Sequence, residues 1–458
     1  MSKPQIIFMP HANIQYSQLA PERRAWVCEN CYRPLFELVR DNNYRIAFEA
    51  SGRTLEVMAE EAPAVLALLK DLCQNGQIEP IGSPFIHVML ANIPQEVGLA
   101  ALKHGLDAWE KYTGIRPVTG WNPECGWGGY LPDLFVEAGY KNLVMDADSF
   151  FLSYPQIRHA TGLAYDVQGH SNKNALFKIE DFIADKPEFL KYLTNPSVAP
   201  NGLKLVMRSD CMANPMLWYL MGATEGQREQ PIQLSEIREM LTKWQTRIAE
   251  TGKFIMPYAE DAEYIGSSAY FYVKQFNQAR FFEPEPGSIK RFKELLDTAI
   301  ELGYDFATPS QVINEAAQLI PNPDIDNIEN GCAWHGGTAK AWANTSYSRI
   351  LDPVCRNILD GVLALQKRLG DTPELQTALE AVTSAYVSDA RWPPLPTSPG
   401  RFNVREALDD LKKANALLGS AMGKAGIGAK RALYSAPLMN TEIALVEKTL
   451  MDQSYFGE

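Results

Sequence analysis

Hydrophobic and polar positions alternate between two kinds of segment over roughly the first two thirds of the chain. Short apolar runs rich in β-branched residues are followed by longer segments in which apolar residues recur every three or four positions. This alternation is typical of a parallel sheet or barrel with helices on its outside. Seven runs are predicted as strands: "QIIFMPH", "RIAFEASG", "IEPIGSPF", "RPVTGWNPE", "KNLVMDADSF", "LKLVMRSD" and "KFIMPYAEDAEYIG". Residues 151–200 are predicted to be rich in loops.

The alternation stops near residue 311, where the segment "PNPDIDNIENG" leads into a region of purely helical pattern. Three amphipathic helices are predicted there, over residues 345–369, 373–388 and 403–421. We therefore predict an α/β fold in which a (β/α)7-type catalytic barrel over residues 1–310 is followed by a C-terminal α-helical domain over residues 311–458.

Composition and charge narrow the possible partners. Hydrophobic residues make up 46% of the chain and the formal net charge is −12, without the clusters of Lys and Arg that nucleic acids or anionic membranes require. The beginning "MSKPQIIFMPHA" lacks the pattern of a signal peptide, and the seven cysteines are an odd number, which favours a reducing compartment. We expect a cytoplasmic protein with no cofactor, no bound metal, no nucleic acid partner and no membrane partner. Composition gives no indication of the oligomeric state.

Two carboxylates stand at positions where a barrel gathers its reactive groups, the carboxyl ends of the strands. Glu124 follows the fourth predicted strand, in "GWNPECGWGG", and Asp261 follows the seventh. Glycoside hydrolysis requires such a pair, because one carboxylate attacks or stabilises the anomeric carbon while the other donates a proton to the leaving oxygen. Aromatic residues on which sugars stack occur near these positions: Trp121, Trp127, Trp218, Tyr219, Tyr258 and Trp334.

Four short motifs of the chain resemble glycoside hydrolase family 57. The motif "WNPECGW" resembles the one that carries the family's nucleophile, at the position of Glu124, and "YAEDAEYIG" resembles the one that carries its acid/base, at the position of Asp261. "GSPFIHVML" places His87 at a histidine of the family, and "PHANIQY" places His11 at the first histidine of another motif. Asn13 departs from that motif, since the family usually has a second histidine there.

The resemblance implies an incomplete (β/α)7 barrel followed by a helical region, and a retaining reaction on α-linked glucan-type oligo- or polysaccharides. Glu124 would form the glycosyl-enzyme and Asp261 would act as acid and then as base. The remaining predicted substrate-binding residues are His11, Asn13, His87, Trp121, Tyr258, Glu263 and Trp334, the last in "CAWHGGTAKAW". The choice between hydrolysis and transfer to an acceptor sugar stays open.

Two other functions remain possible at this point. One is a metal-dependent polysaccharide deacetylase or mannosidase-like barrel enzyme, with ligands His11, His87, Asp261 and Glu263, although no two of the six histidines have His-x-x-x-His spacing. The other is a non-catalytic carbohydrate-binding relative, which the departure at Asn13 favours. Each candidate also has an ordinary structural alternative, such as Asp261 acting as a helix cap.

Overall fold

The computed structural model describes residues 3–16, 19–164, 172, 175–222, 230–267, 283–334, 337–343, 345–392, 402–426 and 440–449. Within these ranges, every helix is either too short or too polar to cross a bilayer.

Strands occur both in the seven predicted runs and in shorter additional segments. They are β1 (Gln5–Phe8), β2 (His11–Ala12), β3 (Ile46–Ala50), β4 (Ile78–Gly82), β5 (Thr119–Trp121), β6 (Asn142–Asp146), β7 (Ser197–Val198), β8 (Lys204–Arg208), β9 (Phe254–Tyr258), β10 (Gly266–Ser267), β11 (Pro284–Glu285), β12 (Asp305–Phe306) and β13 (Ile320–Pro321). The first predicted run forms both β1 and β2, and the others form β3, β4, β5, β6, β8 and β9, so each of these predictions is confirmed.

The strands that carry the candidate site are parallel neighbours. One sheet has the order β13-β7-β8-β6-β5-β4-β3-β2, and a second has the order β12-β1-β9. Because β1 and β2 belong to one stretch of chain, the two sheets are continuous from β9 through β1 and β2 to β8. Every pair in this series is parallel. The series ends at β8 and β9, which belong to different hydrogen-bonded sheets.

Helices follow most strands and then form the C-terminal part of the chain. They cover Arg24–Val27, a π-helical turn Cys28–Tyr32, Arg33–Asn42, Gly52–Glu61, Pro63–Gln74, Gln95–Thr113, Leu131–Ala138, Ala147–Leu152, Pro155–Thr161, Phe177–Ile183, Pro187–Thr194, Asp210–Met221, Leu234–Thr251, Pro286–Glu301, Pro309–Glu315, Lys340–Ala343, Ser346–Leu369, Pro373–Ser384 and Phe402–Lys424. Residues 440–449 are also helical.

The prediction of a loop-rich segment over residues 151–200 is wrong. Three short helices, Pro155–Thr161, Phe177–Ile183 and Pro187–Thr194, lie within it. Helices of this length are marginal by propensity alone, and packing of an apolar face stabilises them. Ile179 and Leu190 are two of the residues that bury that face, a contribution that the breaker residues in the local sequence concealed.

The three predicted C-terminal helices are confirmed, with ends that differ by a few residues. Thr345 caps Ser346–Leu369 through a reciprocal pair of hydrogen bonds with Ser348, and Thr372 caps Pro373–Ser384. The strand β13 still pairs with β7 beyond residue 311, so the chain adds to the sheet before the helices begin. The domain boundary at residue 310 stays a prediction.

Two hydrophobic cores lie on opposite faces of the parallel strands. Ile6 and Phe8 pack against the outer helices, whereas Ile7 and Met9 belong to a smaller cluster between the strands. Successive side chains of a strand point to opposite faces, so both faces of β1 are buried. Every second side chain lies on this inner face, and after Met9 the next one is His11. A polar side chain thus lies at the carboxyl end of the strands.

Candidate active site

Glu124 lies in a strained turn directly after β5. Its backbone has φ 56° and ψ 13°, and Cys125 has φ 50°. Non-glycine residues adopt this left-handed region at a cost of about 1–3 kcal/mol each, and such strain is found preferentially at functional sites. The positive backbone φ angles of this turn thus fall on Glu124 and Cys125 and not on the neighbouring glycines.

The neighbours of this turn hold it in place. The Asn122 side chain donates to the carbonyl of Gly126, and the Cys125 N–H donates to the carbonyl of Asn122 at 2.9 Å. A Cβ atom on Gly126 would collide with Sδ of Met89, so the close approach requires glycine there. The Glu124 side chain keeps 16% of its surface exposed, and a substrate can therefore reach it from the solvent.

Asp261 is held by hydrogen-bond donors from the first strand region. His11 Nε2 lies 3.0 Å from Asp261 Oδ1, and the hydroxyl of Tyr16 donates to Oδ2. The His11 N–H donates to the carbonyl of Glu260 at 3.0 Å, which fixes the two segments side by side. Tyr16 was missed as a site residue, although it ends the quoted motif "PHANIQY".

His87 lies beside Glu124. Its Nε2 is 3.8 Å from Glu124 Oε1, and its Nδ1 is 2.8 Å from the Ser388 hydroxyl oxygen. Burial, followed by the neighbouring His11, lowers the pKa of His87 to about 3, and the charge of Asp261 opposes the shift. The ring is therefore neutral near pH 7, and it lies within electrostatic range of both His11 and Asp261.

His11 and Trp121 form one wall of the site. Their rings are stacked with centroids 5.6 Å apart and an interplanar angle of 25°. Burial lowers the pKa of His11, with Asp261 acting in the opposite direction, so this imidazole is also neutral near pH 7. Trp121 is nearly buried and belongs to the hydrophobic cluster between the strands.

Glu263 supports the segment that follows β9. Its Oε1 accepts the Asn13 N–H at 2.9 Å and also the hydroxyl of Tyr32. Burial, followed by the nearby charge of Asp261, raises the pKa of Glu263 to about 8. Near neutral pH this carboxyl group is mostly protonated, so it adds little negative charge beside Asp261.

Asn13 links the segment after β2 to the C-terminal part of the chain. Its Nδ2 donates to Asp389 Oδ2 at 3.0 Å, and its Oδ1 accepts the Gln15 N–H at 2.9 Å. These bonds engage the amide of Asn13 within the protein.

The two remaining predicted aromatic residues are placed differently. Tyr258 is fully buried and packs against Phe8 and Phe292, with ring centroids 6.2 and 5.2 Å away. This position lies in the layer between β1 and the helix Pro286–Glu301, and not with the carboxylates. Trp334 is half-buried against the cluster between the strands, which includes Trp121 and Cys125.

A buried charge network lies next to the site. The guanidinium of Arg208 is 3.3 Å from Asp146, 2.5 Å from Asp210 and 2.7 Å from Glu260, and Arg208 has no exposed surface. Burial, followed by the charge of Asp210, raises the pKa of Asp146 to about 6. Arg208 supplies the positive charge that allows these carboxylates to be buried together.

The arrangement of possible metal ligands does not match the metal-enzyme alternative. Asp146, Asp148 and Asp210 have oxygens within 4.8 Å of one another, but Arg208 already contacts two of them. In the ranges that the structure describes, no comparable group is formed by the ligands that the alternative requires: His11, His87, Asp261 and Glu263.

Glu49 is a buried acidic residue that was not predicted from the sequence as part of the site. It pairs in register with His11 and is 2% exposed. Burial raises the pKa of Glu49 to about 8, and Asp261 contributes in the same direction. Its only sequence signal is a position near the end of the predicted strand "RIAFEASG".

Part of the chain is similar in sequence to known proteins. Residues 5–209 match the model of Glycosyl hydrolase family 57. An α-amylase of Pyrococcus abyssi is 33% identical over 126 residues, which is 27% of this chain and 19% of the relative. A 4-alpha-glucanotransferase of Thermococcus litoralis is 31% identical over 133 residues, or 28% of this chain and 20% of the relative. The aligned region thus spans about a fifth of these curated relatives.

Solved structures extend the similarity in fold to nearly the whole chain. A GH57-type branching enzyme from Pyrococcus horikoshii superposes with a TM-score of 0.62 at 13% identity, covering 97% of this chain and 96% of that one. The α-amylase AmyC from Thermotoga maritima gives a TM-score of 0.62 at 13% identity, covering 96% and 97%. At this level of identity the comparison shows a shared fold.

Proposed function

Residues 5–209 match the model of glycosyl hydrolase family 57, and from this match we propose that the protein is a retaining enzyme acting on α-linked glucan-type saccharides. The observation that carries the proposal is the position of His87, whose ring lies 3.8 Å from Glu124 and within electrostatic range of Asp261. Glu124 and Asp261, which follow β5 and β9, thus both lie near this neutral imidazole, and we propose that they share one site at the carboxyl end of an incomplete (β/α)7 barrel.

In the first step, a carboxylate oxygen of Glu124 attacks C1 of the sugar as the bond from C1 to the leaving oxygen breaks. Asp261 gives its proton to that oxygen, and a β-linked glycosyl-enzyme forms from an α-linked substrate. In the second step Asp261, now a carboxylate, removes a proton from water or from a sugar hydroxyl, which attacks C1 and releases Glu124. Two inversions retain the α configuration.

The surrounding residues prepare this chemistry by fixing geometry. The strained backbone of Glu124 presents its carboxylate toward His87, while His11 and Tyr16 each occupy one oxygen of Asp261. Preorganised partners reduce the reorganisation needed at the moment of reaction. In this proposal His11, His87 and Trp121 also contact the sugar at the cleavage point, and the sequence assigns Asn13, Glu263 and Trp334 to substrate binding as well. Tyr258 is not included, because it is fully buried against Phe8 and Phe292.

Hydrolysis and transfer share the same glycosyl-enzyme. Relatives carry the names α-amylase and 4-alpha-glucanotransferase, and we propose that this chain, too, partitions its intermediate between water and an acceptor sugar. The ratio depends on how well the acceptor side of the site excludes water.

The decisive experiment combines product analysis with chemical rescue. Purified protein is incubated with linear α-1,4-linked oligosaccharides, and the products are separated by length to detect shorter, longer and branched chains. Glu124→Gly and Asp261→Gly are then given α-glucosyl fluoride with and without azide. Azide should yield a β-glycosyl azide with Glu124→Gly, by direct displacement, and an α-glycosyl azide with Asp261→Gly, by attack on the glycosyl-enzyme.

Glu60→Gln is the matched control, since Glu60 is exposed on the helix Gly52–Glu61 away from these strand ends. It should process the oligosaccharides like the unaltered protein. Exchange of the two azide products between the variants would reverse the assigned roles. Wild-type protein that binds the oligosaccharides without changing their lengths would instead identify a non-catalytic carbohydrate-binding protein.

A further inference from the structure

One short segment of the C-terminal helical region, which follows the helix Pro373–Ser384, contacts His87. Within this segment Ser388 is 1% exposed and lies against His87. The N–H of Ser388 donates to the carbonyl of His87 at 2.8 Å, and the Ser388 hydroxyl oxygen is 2.8 Å from His87 Nδ1. Ser388, which is 301 positions away in the chain, therefore forms hydrogen bonds with both the backbone and the ring of His87.

The segment is itself firmly anchored. Arg391 is buried, and its Nε lies 2.7 Å from Asp352 Oδ1 on the helix Ser346–Leu369. The same guanidinium donates to the carbonyls of Ala385 and Val387 at 2.9 and 3.0 Å. Because these contacts fix the backbone on either side of Ser388, its hydroxyl group has a defined position relative to the imidazole.

The direction of the hydrogen bond between Ser388 and Nδ1 depends on which ring nitrogen of His87 carries the proton. The Ser388 hydroxyl has one hydrogen, which it can donate either to the carbonyl of His87, 3.0 Å away, or to Nδ1. The carbonyl oxygen has two lone pairs, so its bond to the Ser388 N–H does not decide between these two acceptors. When the hydroxyl donates to Nδ1, the neutral ring carries its only hydrogen on Nε2, the atom 3.8 Å from the Glu124 carboxylate.

The opposite tautomer is unfavourable for an electrostatic reason. If Nδ1 carried the hydrogen, the Nε2 lone pair would face the Glu124 carboxylate, and two regions of negative charge would oppose each other in a mostly buried site. With hydrogen on Nε2, the N–H dipole points its positive end toward that carboxylate.

We propose that Ser388 is a positioning residue that fixes His87 as the Nε2–H tautomer facing Glu124. This inference rests on the proposed function, because it assigns the oriented N–H to the side of the nucleophile. Ser388 itself is buried and does not contact the sugar in this proposal. It sets the direction in which the His87 imidazole presents its hydrogen.

The primary test measures the tautomer and needs no turnover. Protein labelled with nitrogen-15 in histidine is examined by NMR at pH 7, and loss of signals in His87→Gln assigns the His87 ring. We expect a protonated Nε2 and an unprotonated Nδ1 in the wild type and in Ser388→Thr, which keeps a hydroxyl. Ser388→Ala should show a mixture of tautomers or a reversed one. A wild-type ring protonated on Nδ1, or a Ser388→Ala spectrum identical to that of the wild type, would overturn the proposal.

Kinetics supply the second readout, with α-glucosyl fluoride as the substrate. Ser388→Ala should lower kcat by roughly five- to tenfold with little change in KM, as expected for the loss of one orienting hydrogen bond. Ser388→Thr should recover most of this rate. Ser384→Ala is the matched control, because this buried serine lies one helical turn earlier and should leave kcat and the His87 spectrum unchanged. An equal loss of rate in both alanine variants would show that Ser388 only stabilises the segment.

The two proposals fail in different ways. If the wild-type tautomer is the expected one but azide rescue fails at Glu124 and Asp261, the proposed function is wrong and Ser388 still orients His87. If azide rescue succeeds and the tautomer is the opposite one, the function stands and the role of Ser388 is overturned.

Discussion

The hydroxyl of Tyr16 donates a hydrogen bond to Oδ2 of Asp261. Its ring is 8% exposed and comes from the segment that follows β2, whereas Asp261 follows β9. The bond therefore connects two strand ends that are neighbours only in the folded protein. The orientation of the Asp261 carboxyl group thus depends on a residue that was not predicted to belong to the site.

Replacement of Tyr16 by Phe removes this donor and keeps the ring. In the second step of the proposed reaction Asp261 is a carboxylate, and a hydrogen bond to a charged group contributes about 1.5–3 kcal/mol. Each 1.4 kcal/mol corresponds to about a tenfold change in rate, so we expect kcat to fall roughly 10- to 100-fold where this step limits the rate. Steady-state kinetics on α-glucosyl fluoride would measure the effect. Tyr140→Phe is the control, since Tyr140 is also buried and its hydroxyl has no hydrogen-bond partner among the described residues. A Tyr16→Phe enzyme with unchanged kcat would show that His11 alone is enough to hold Asp261.

Glu49 should make the protein less stable as the pH rises. Burial raises the pKa of Glu49 to about 8 from its ordinary value of 4.5. Between these values the unfolded chain releases a proton that the folded protein retains, so the free energy of unfolding decreases with increasing pH and levels off above about pH 8. Glu263, whose pKa is also raised to about 8, acts in the same direction.

The Glu49→Gln variant removes one of these two contributions. We expect its free energy of unfolding to exceed that of the wild type more at pH 8 than at pH 5, by a difference on the order of a few kcal/mol. Urea denaturation at both pH values measures this. Glu60→Gln, on the surface, should follow the wild-type dependence. If Glu49→Gln keeps the wild-type dependence, the Glu49 carboxyl is ionised in the folded protein.

Arg208 is expected to be indispensable for stability. Arg208→Gln leaves the carboxylates of Asp146, Asp210 and Glu260 buried without their shared cation. Breaking a buried ion pair in this way costs about 3–5 kcal/mol, and the loss should be smaller at pH 5.5 than at pH 8, because protonation removes the uncompensated charges. Thermal and urea unfolding provide the measurement.

The control for Arg208 is Arg45→Gln. Arg45 is exposed and bonds to Gln311 at 3.1 Å, so its replacement should change the free energy of unfolding by less than about 0.5 kcal/mol. A loss in Arg208→Gln that is equally small would mean that the neighbouring carboxyl groups are already neutral without the guanidinium.

The hydrogen bond between Asn13 and Asp389 can be tested by exchanging the two residue types. Asn13→Asp alone would oppose two carboxylates where the structure has a 3.0 Å bond from the amide to Asp389, and we expect a loss of about 2 kcal/mol or more. Adding Asp389→Asn restores a donor and an acceptor in reversed order, so the double variant should recover a large part of that loss. A double-mutant cycle in urea measures the coupling. Additive effects of the two changes would show that the bond contributes nothing to the contact between the barrel and the helical region.

Much of the architecture is encoded locally. The alternation of short apolar runs with helical periodicity predicted the parallel strands that carry the site and the three long C-terminal helices, because side-chain burial on a strand or helix leaves a period of 2 or 3.6 in the sequence. It missed the short helices between residues 155 and 194, since packing against the rest of the protein stabilises them more than their own sequence does. The fold of the chain could thus be predicted well, and its least regular segment could not.

For the site, the sequence by itself determined which residues follow the strand ends, including Glu124, Asp261, His11 and His87. Only the tertiary structure decided which of these residues contact one another and which other residues fix their positions. The contacts of Tyr16 with Asp261 and of Ser388 with His87 join positions 245 and 301 residues apart, and no local pattern records a contact between such distant positions. Protonation is decided in the same way: the pKa values of Glu49 and His87 depend on burial, which is a property of the folded protein and not of any residue type.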